Sequence, residues 1–303
     1  MIKYYESILL GVAFIAIIIG TITDIKKREV PDWISYFLIL FGIGARILYS
    51  LQFKDFSILL QGVYGLVLFS AIAYAMYYAG QWGGGDAKIL MGSGAVMGFD
   101  VVYSLDAISI VQMANSLGIA FLINTIIFGA FYGLFYILIL SFSNRSSVYK
   151  KFRSMNKDKE FIKYRNMALI IGFIYFIIFI FISKSVYYNI VAGIAILTLI
   201  ILFPYLWAFV KSVEDAVMYK ELEPSKLVEG DWIARPVLVE KKIIASPKDL
   251  GVSKEQIEQL EDLYKNKKIS KVLVKEGIPF VPSFLIAFIV TVLFGNVFAW
   301  LIF

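Results

Sequence analysis

Gln81-Trp82-Gly83-Gly84-Gly85-Asp86-Ala87-Lys88, QWGGGDAK in one-letter code, separates two apolar runs. Glycine is a poor helix former and leaves the backbone accessible, so the chain turns or extends just before Asp86. Small residues also let neighbouring helices approach closely. A nucleotide-binding loop is the rival reading of the glycines. It lacks the GK[ST] ending of a phosphate-binding loop, and no βαβ context surrounds it.

The flanking runs set the environment. The chain has 303 residues, of which 60% are hydrophobic, with mean hydropathy +0.78. Several apolar runs approach 20 residues, the length that carries a helix across a bilayer. The first, Tyr4 to Thr23, is too long for the apolar core of a cleaved signal peptide and reads as a retained helix. Eight spans are expected, at 4–23, 33–51, 58–80, 85–99, 115–142, 167–183, 187–210 and 282–303, with the sixth and seventh as a tight hairpin. The expected fold class is an all-α polytopic membrane protein with a small α+β domain in the cytoplasm.

Charge sets the orientation. The net charge of +6 reads as the positive-inside bias of a membrane protein rather than as a nucleic-acid footprint. With the N-terminus outside, eight lysines and arginines fall in the inside segment 143–166, whereas the outside segments hold Lys3, Lys54 and Lys184. The expected organisation is a membrane core over 1–143, a basic cytoplasmic loop over 144–166 and a helix pair over 167–210. A cytoplasmic α+β domain over 211–281 and a last span over 282–303 complete it. Within 211–281, Leu227 to Glu240 has strand-like apolar residues broken by Gly230-Asp231 and Pro236. Ser253-Lys254-Glu255-Gln256 has the pattern of a capping box opening a helix to about Tyr264. Ile269 to Val274 alternates as a strand does.

Two zeros narrow the chemistry. The chain has no cysteine and no histidine. Thiol nucleophiles, thiolate metal sites, Ser-His pairs and HExxH zinc sites are therefore excluded. Acid–base work falls to carboxylates, lysines and tyrosines. Two carboxylates stand out, both at the cytoplasmic edge: Asp24 closes the first span and Asp86 opens the fourth. Ionisable groups at membrane depth are costly and tend to be functional. A pair of aspartates sharing one proton activates water and protonates a scissile carbonyl. Asp86 at a helix N-terminus favours the anion, and Asp24 at a helix C-terminus favours the proton. Simpler roles stand beside these: an interfacial charge next to Lys26, Lys27 and Arg28, and a carboxylate at a helix start. Arg46 is the other ionisable group at depth, placed to snorkel outward or pair within the bundle.

At these residues the chain resembles a family. Gly83-Gly84-Gly85-Asp86 matches the GxGD signature of membrane aspartyl proteases, and Ala87-Lys88 extends it. Asp24 followed by Arg28, Val30, Pro31 and Asp32 resembles the D…R.(I/V)P(N/D) pattern of the prepilin peptidases, especially the archaeal type that processes preflagellin (archaellin) and pilin-like precursors. Gly277-Ile278-Pro279-Phe280-Val281-Pro282 before the last span resembles archaeal members with a cytoplasmic insert. The resemblance implies removal of a short basic leader at the cytoplasmic edge, Asp24 and Asp86 as the catalytic pair, and no metal or other cofactor. It implies precursor proteins and the lipid bilayer as partners. Gly83, Gly84, Gly85 and Lys88 are then site-shaping or substrate-binding. Asp32, Glu214 and Asp215 are placed to attract a basic leader. The cysteine motifs and leader-methylating domain of bacterial members are absent, as are the Tyr-Asp and Pro-Ala-Leu motifs of the presenilin branch. Rival classes are a proton-coupled transporter and a non-catalytic assembly factor.

Overall fold

The computed structural model describes residues 4–100, 113, 116–182, 187–240 and 242–299. Its helices are α1 Tyr4–Lys27, α2 Asp32–Phe53, α3 Ser57–Tyr78, α4 Gly84–Met97, α5 Leu117–Ser143, α6 Arg145–Met155, α7 Lys159–Ile182, α8 Tyr187–Val213, α9 Lys254–Lys265 and α10 Val281–Phe294. Among the described residues, six helices are long and apolar enough to cross a bilayer: α1, α2, α3, α5, α7 and α8. The chain is a multi-pass membrane protein.

This differs from the eight expected spans at two places. α4 and α10 have 14 residues each, and 14 residues of α-helix rise only about 21 Å against a hydrocarbon core of about 30 Å. Each ends on a glycine with positive φ, Gly98 at 74° and Gly295 at 69°, where the left-handed backbone stops a helix. Residues 300–303 of the expected last span lie outside the described residues. The expected basic loop at 144–166 is mostly helical: it forms α6 and the first turns of α7. Lysine and arginine are good helix formers, so their charge marks the end of burial rather than the end of helix.

α4 is the centre of the bundle, packed on α3, α2 and α1, while α10 packs on α5 and α1. The α3–α4 contact is backbone to backbone. A Cβ at Gly65 would overlap the Gly94 carbonyl oxygen and lie 2.7 Å from the Gly98 Cα, and one at Gly94 would lie 2.6 Å from the Gly65 carbonyl oxygen. Neither neighbour can rotate away. Gly65→Ala is therefore expected to destabilise the bundle by about 1–3 kcal/mol or more, the usual cost of overpacking. A thermal melt in detergent that matches wild type would contradict this packing.

Arg46 has a structural assignment. It is 2% exposed, and its guanidinium donates to the carbonyls of Ala95, Val96 and Ile58 at 3.1, 2.7 and 3.1 Å. Ala95 and Val96 lie in the last turn of α4, where carbonyls have no partner within the helix. Arg46 pairs within the bundle and caps α4.

Residues 219–275 form the α+β unit. A three-stranded antiparallel sheet has the order β1 (Tyr219–Leu222), β5 (Val272–Lys275), β2 (Trp232–Ile233), and β3 (Val237–Val239) pairs with β4 (Lys242–Ala245). Ser253 caps α9, its hydroxyl accepting from the Gln256 N–H while the Gln256 side chain accepts from the Ser253 N–H. Leu227, Ile233, Ala245, Val252, Leu260, Val272 and Val274 fill a core separate from that of the helices.

Candidate active site

Asp24 lies three residues before the end of α1, and Asp86 is the third residue of α4. Helix packing brings their helices together one turn from each aspartate: α1 packs on α4, and a Cβ at Gly20 would lie 2.5 Å from Ile89 Cδ1. Asp86 Oδ2 accepts from the Gly83 N–H at 3.0 Å, tying the carboxylate back to the residue that opens its own helix. Asp24 is 6% exposed, and its Oδ2 accepts from the Val281 N–H at 3.0 Å.

Val281 is the first residue of α10. Asp24 therefore faces a helix N-terminus as well as closing a helix C-terminus. Both carboxylates accept from the positive end of a helix, which removes the asymmetry that the chain order alone assigns to them.

The three glycines are not equivalent. A Cβ at Gly85 would lie 3.0 Å from Val30 Cβ and 3.1 Å from its Cγ2, whereas one at Gly84 would meet nothing closer than Tyr77 at 3.9 Å. Gly85 is where the α1–α2 turn seats against α4, and Val30 is the side chain that fills the seat. This contact joins the two motifs at the resting positions of their aspartates. Gly84→Ala is expected to keep wild-type melting and activity, while Gly85→Ala shifts the turn that follows Asp24 and lowers activity about 10- to 100-fold, the scale of a displacement near 1 Å. Equal behaviour of the two variants in a cleavage assay would exclude this account.

Lys88 lies one turn beyond the start of α4 and pairs with Asp32 at 2.6 Å. Pairing with a carboxylate is the role it has in this structure. Both side chains are about half exposed, 41% and 53%, so the pair contributes little to stability. It occupies Asp32, which leaves that carboxylate less available to a basic leader. Glu214 is likewise engaged: it accepts from Lys211, Lys275 and Tyr219 at 3.0, 2.9 and 3.0 Å. Asp215 lies 3.6 Å from Lys211.

The contacts that chain order does not point to are those that Trp82 and Arg28 make with Gly277, Phe280 and Phe284 from the far end of the sequence. Trp82 is 8% exposed, and its ring centroid lies 5.6 Å from those of Phe280 and Phe284. Arg28 has φ 60°. Its N–H donates to the Asp24 carbonyl at 2.9 Å, and its guanidinium donates to the Gly277 carbonyl at 2.9 Å and to the Tyr136 hydroxyl at 2.8 Å. The available signal was the segment Gly277–Pro282, a proline-bounded stretch directly before an apolar run. Among the described residues, no group of three or more His, Cys, Asp or Glu is placed to hold a metal ion.

Comparison with known proteins bears on the same part of the chain. Residues 11–134 match the type IV leader peptidase family. The preflagellin peptidase of Methanococcus maripaludis is 37% identical over 83 residues, 27% of this chain and 36% of that protein. The preflagellin peptidase of Methanocaldococcus jannaschii is 30% identical over 86 residues, 28% of this chain and 36% of that one. That of Methanococcus voltae is 30% identical over 87 residues, 29% and 37% of the two chains. The matched stretch thus spans little more than a third of each relative's length. No solved structure matches. Asp24, Arg28, Val30, Gly85 and Asp86 all lie inside residues 11–134, the stretch of this chain that is similar to the type IV leader peptidase family.

Proposed function

We propose that this protein is a membrane aspartyl endopeptidase that removes the short basic leader of pilin-like or archaellin precursors at the cytoplasmic membrane face. The observation that supports the reading is that α1, with Asp24 in its last turn, packs on α4, with Asp86 in its first, inside a segment similar to leader peptidases. The N-terminus lies outside, and the α+β unit lies in the cytoplasm beside the site.

The reaction needs one ionised and one protonated carboxylate. The ionised group takes a proton from water as the water oxygen bonds to the scissile carbonyl carbon. The protonated group donates to the carbonyl oxygen. Collapse of the tetrahedral intermediate breaks the C–N bond, and the departing nitrogen takes up a proton from the pair. The apolar helix of the precursor lies among the spans, its leader extends into the cytoplasm, and the bond between them reaches the depth of the pair. Trp82, Phe280 and Phe284 exclude bulk water on one side, which strengthens the electrostatics of the pair. Arg46, the other ionisable residue at depth, caps a helix.

The test is cleavage of a tagged precursor with a basic leader and a pilin-like apolar helix, in membranes containing the protein. One cut is expected, and sequencing of the new N-terminus places it where leader meets helix. If folded protein cuts no member of a varied precursor panel, the transporter and assembly-factor readings replace this one.

A further inference from the structure

The α+β unit is fastened to the candidate site at both ends of one short segment. Against the bundle, Trp232 of β2 lies over the α3–α4 turn: a Cβ at Gly80 would sit 3.2 Å from its ring. The Tyr77 hydroxyl of α3 donates to the Leu250 carbonyl at 3.3 Å. Gly80 has φ 67°, so the turn has the one residue type that both adopts this backbone freely and leaves room for the indole.

From the central strand β5 the chain runs through residues 276–281 to Asp24, and nearly every step is held. Lys275 pairs with Glu214 at 2.9 Å. The Glu276 N–H donates to the Met218 carbonyl at 2.8 Å, and its carboxylate pairs with Lys220. The Gly277 carbonyl accepts from Arg28. Ile278 packs on the cluster of Ile137, Val148 and Val213. The Phe280 ring lies tilted against Trp82, and the Val281 N–H reaches the carboxylate. A segment fastened this often transmits the position of its anchor rather than absorbing it.

We propose that the α+β unit positions Asp24 through residues 276–281, with Trp232 and Arg28 as positioning residues. The proposal rests on Asp24 being one of the reacting pair. Seated on the α3–α4 turn, the unit presents the Val281 N–H to Asp24 and so sets the carboxylate against Asp86. Arg28 fixes the middle of the segment from the α1 side. Its left-handed backbone, costly for a residue with a Cβ, is held by its own N–H bond to Asp24 and its two side-chain bonds.

The experiment uses the full chain in nanodiscs, with Trp232→Ala, Arg28→Met, Arg28→Lys and the double variant Trp232→Ala/Arg28→Met. Precursor cleavage gives kcat and KM, and amide hydrogen exchange is read over 277–281. Trp232→Ala and Arg28→Met are each expected to lower kcat about 10- to 100-fold, the scale of a 1 Å misplacement, with KM within about two-fold. The double variant is no slower than the slower single by more than about three-fold, because both act on one element. Arg28→Lys recovers part of the loss. Exchange at Val281 rises at least about ten-fold in both single variants while α2 and α3 keep their protection. Should Trp232→Ala not fold, Tyr77→Phe, which removes one hydrogen bond, gives smaller shifts in the same directions. A raised KM with unchanged kcat overturns the proposal, because the unit would then be binding the leader. Unchanged exchange at Val281 overturns it too. If wild type cuts no precursor, the peptidase reading fails, and exchange alone decides whether the unit holds the segment.

Discussion

Asp24→Asn and Asp86→Asn each lower the rate of precursor cleavage by about 100- to 10,000-fold, the range that a positioned acid or base contributes. Asparagine preserves size and shape. Its side-chain oxygen still accepts from the Val281 or Gly83 N–H, the bonds that hold the two carboxylates. The fold is therefore kept, and melting temperatures stay within a few degrees of wild type. What is lost is the ability to take or give a proton. The double variant is expected to be no slower than either single by more than a few-fold, because two groups that act on one proton fail together. The measurement is single-turnover cleavage at matched expression, with intact precursor as the control. Persistent cleavage in either variant removes that residue from the chemistry. Additive losses in the double variant would mean two independent roles rather than a pair.

Arg46→Met gives the largest loss of stability. Methionine nearly fills the volume but donates nothing to the carbonyls of Ala95, Val96 and Ile58. Each buried acceptor left without a donor costs about 1–3 kcal/mol, and removing a buried charge offsets part of that total. A net loss of several kcal/mol corresponds to a fall in melting temperature of roughly 10 °C. Lysine is not an adequate substitute, since a point charge cannot reproduce the planar fork that reaches several carbonyls together. Arg46→Lys therefore lies between methionine and wild type. A melting curve for Arg46→Met that overlays wild type would show that the α4 carbonyls are satisfied without it. Proton-transport assays are unaffected by the substitution if the residue is a cap.

The long apolar runs and the aspartates at their ends were legible because each is a local pattern: runs long enough to span, and charges where burial stops. The α9 cap was legible for the same reason, since Ser253 and Gln256 sit three residues apart and bond each other. The extent of α4 was also legible, 85–99 expected against Gly84–Met97, but that of α10 was not. Hydropathy continues past Gly295, while the helix ends there on a backbone angle that hydropathy does not register. The helical character of 144–166 was hidden by its charge. The partner of Lys88 was not legible either, since it depends on the position of Asp32 at the start of α2. The environment of Asp24 was the largest omission. Its donor, Val281, is 257 residues away in sequence, and no periodicity relates the two. Gly85 was visible as one of three glycines, but the reason for it, the Val30 side chain, belongs to another helix pair.

The α+β unit begins and ends on neighbouring strands. β1 follows the π-helical turn after α8, and β5 leads to α10 through the fastened segment, with Tyr219 opposite Lys275 and Leu222 opposite Val272. The two points where the chain departs from the bundle and returns to it are thus clasped side by side. The stretch between residues 223 and 271 is a closed loop on that clasp, touching the bundle again at Trp232 and Leu250. Away from those two contacts its length can change without pulling α8 and α10 apart.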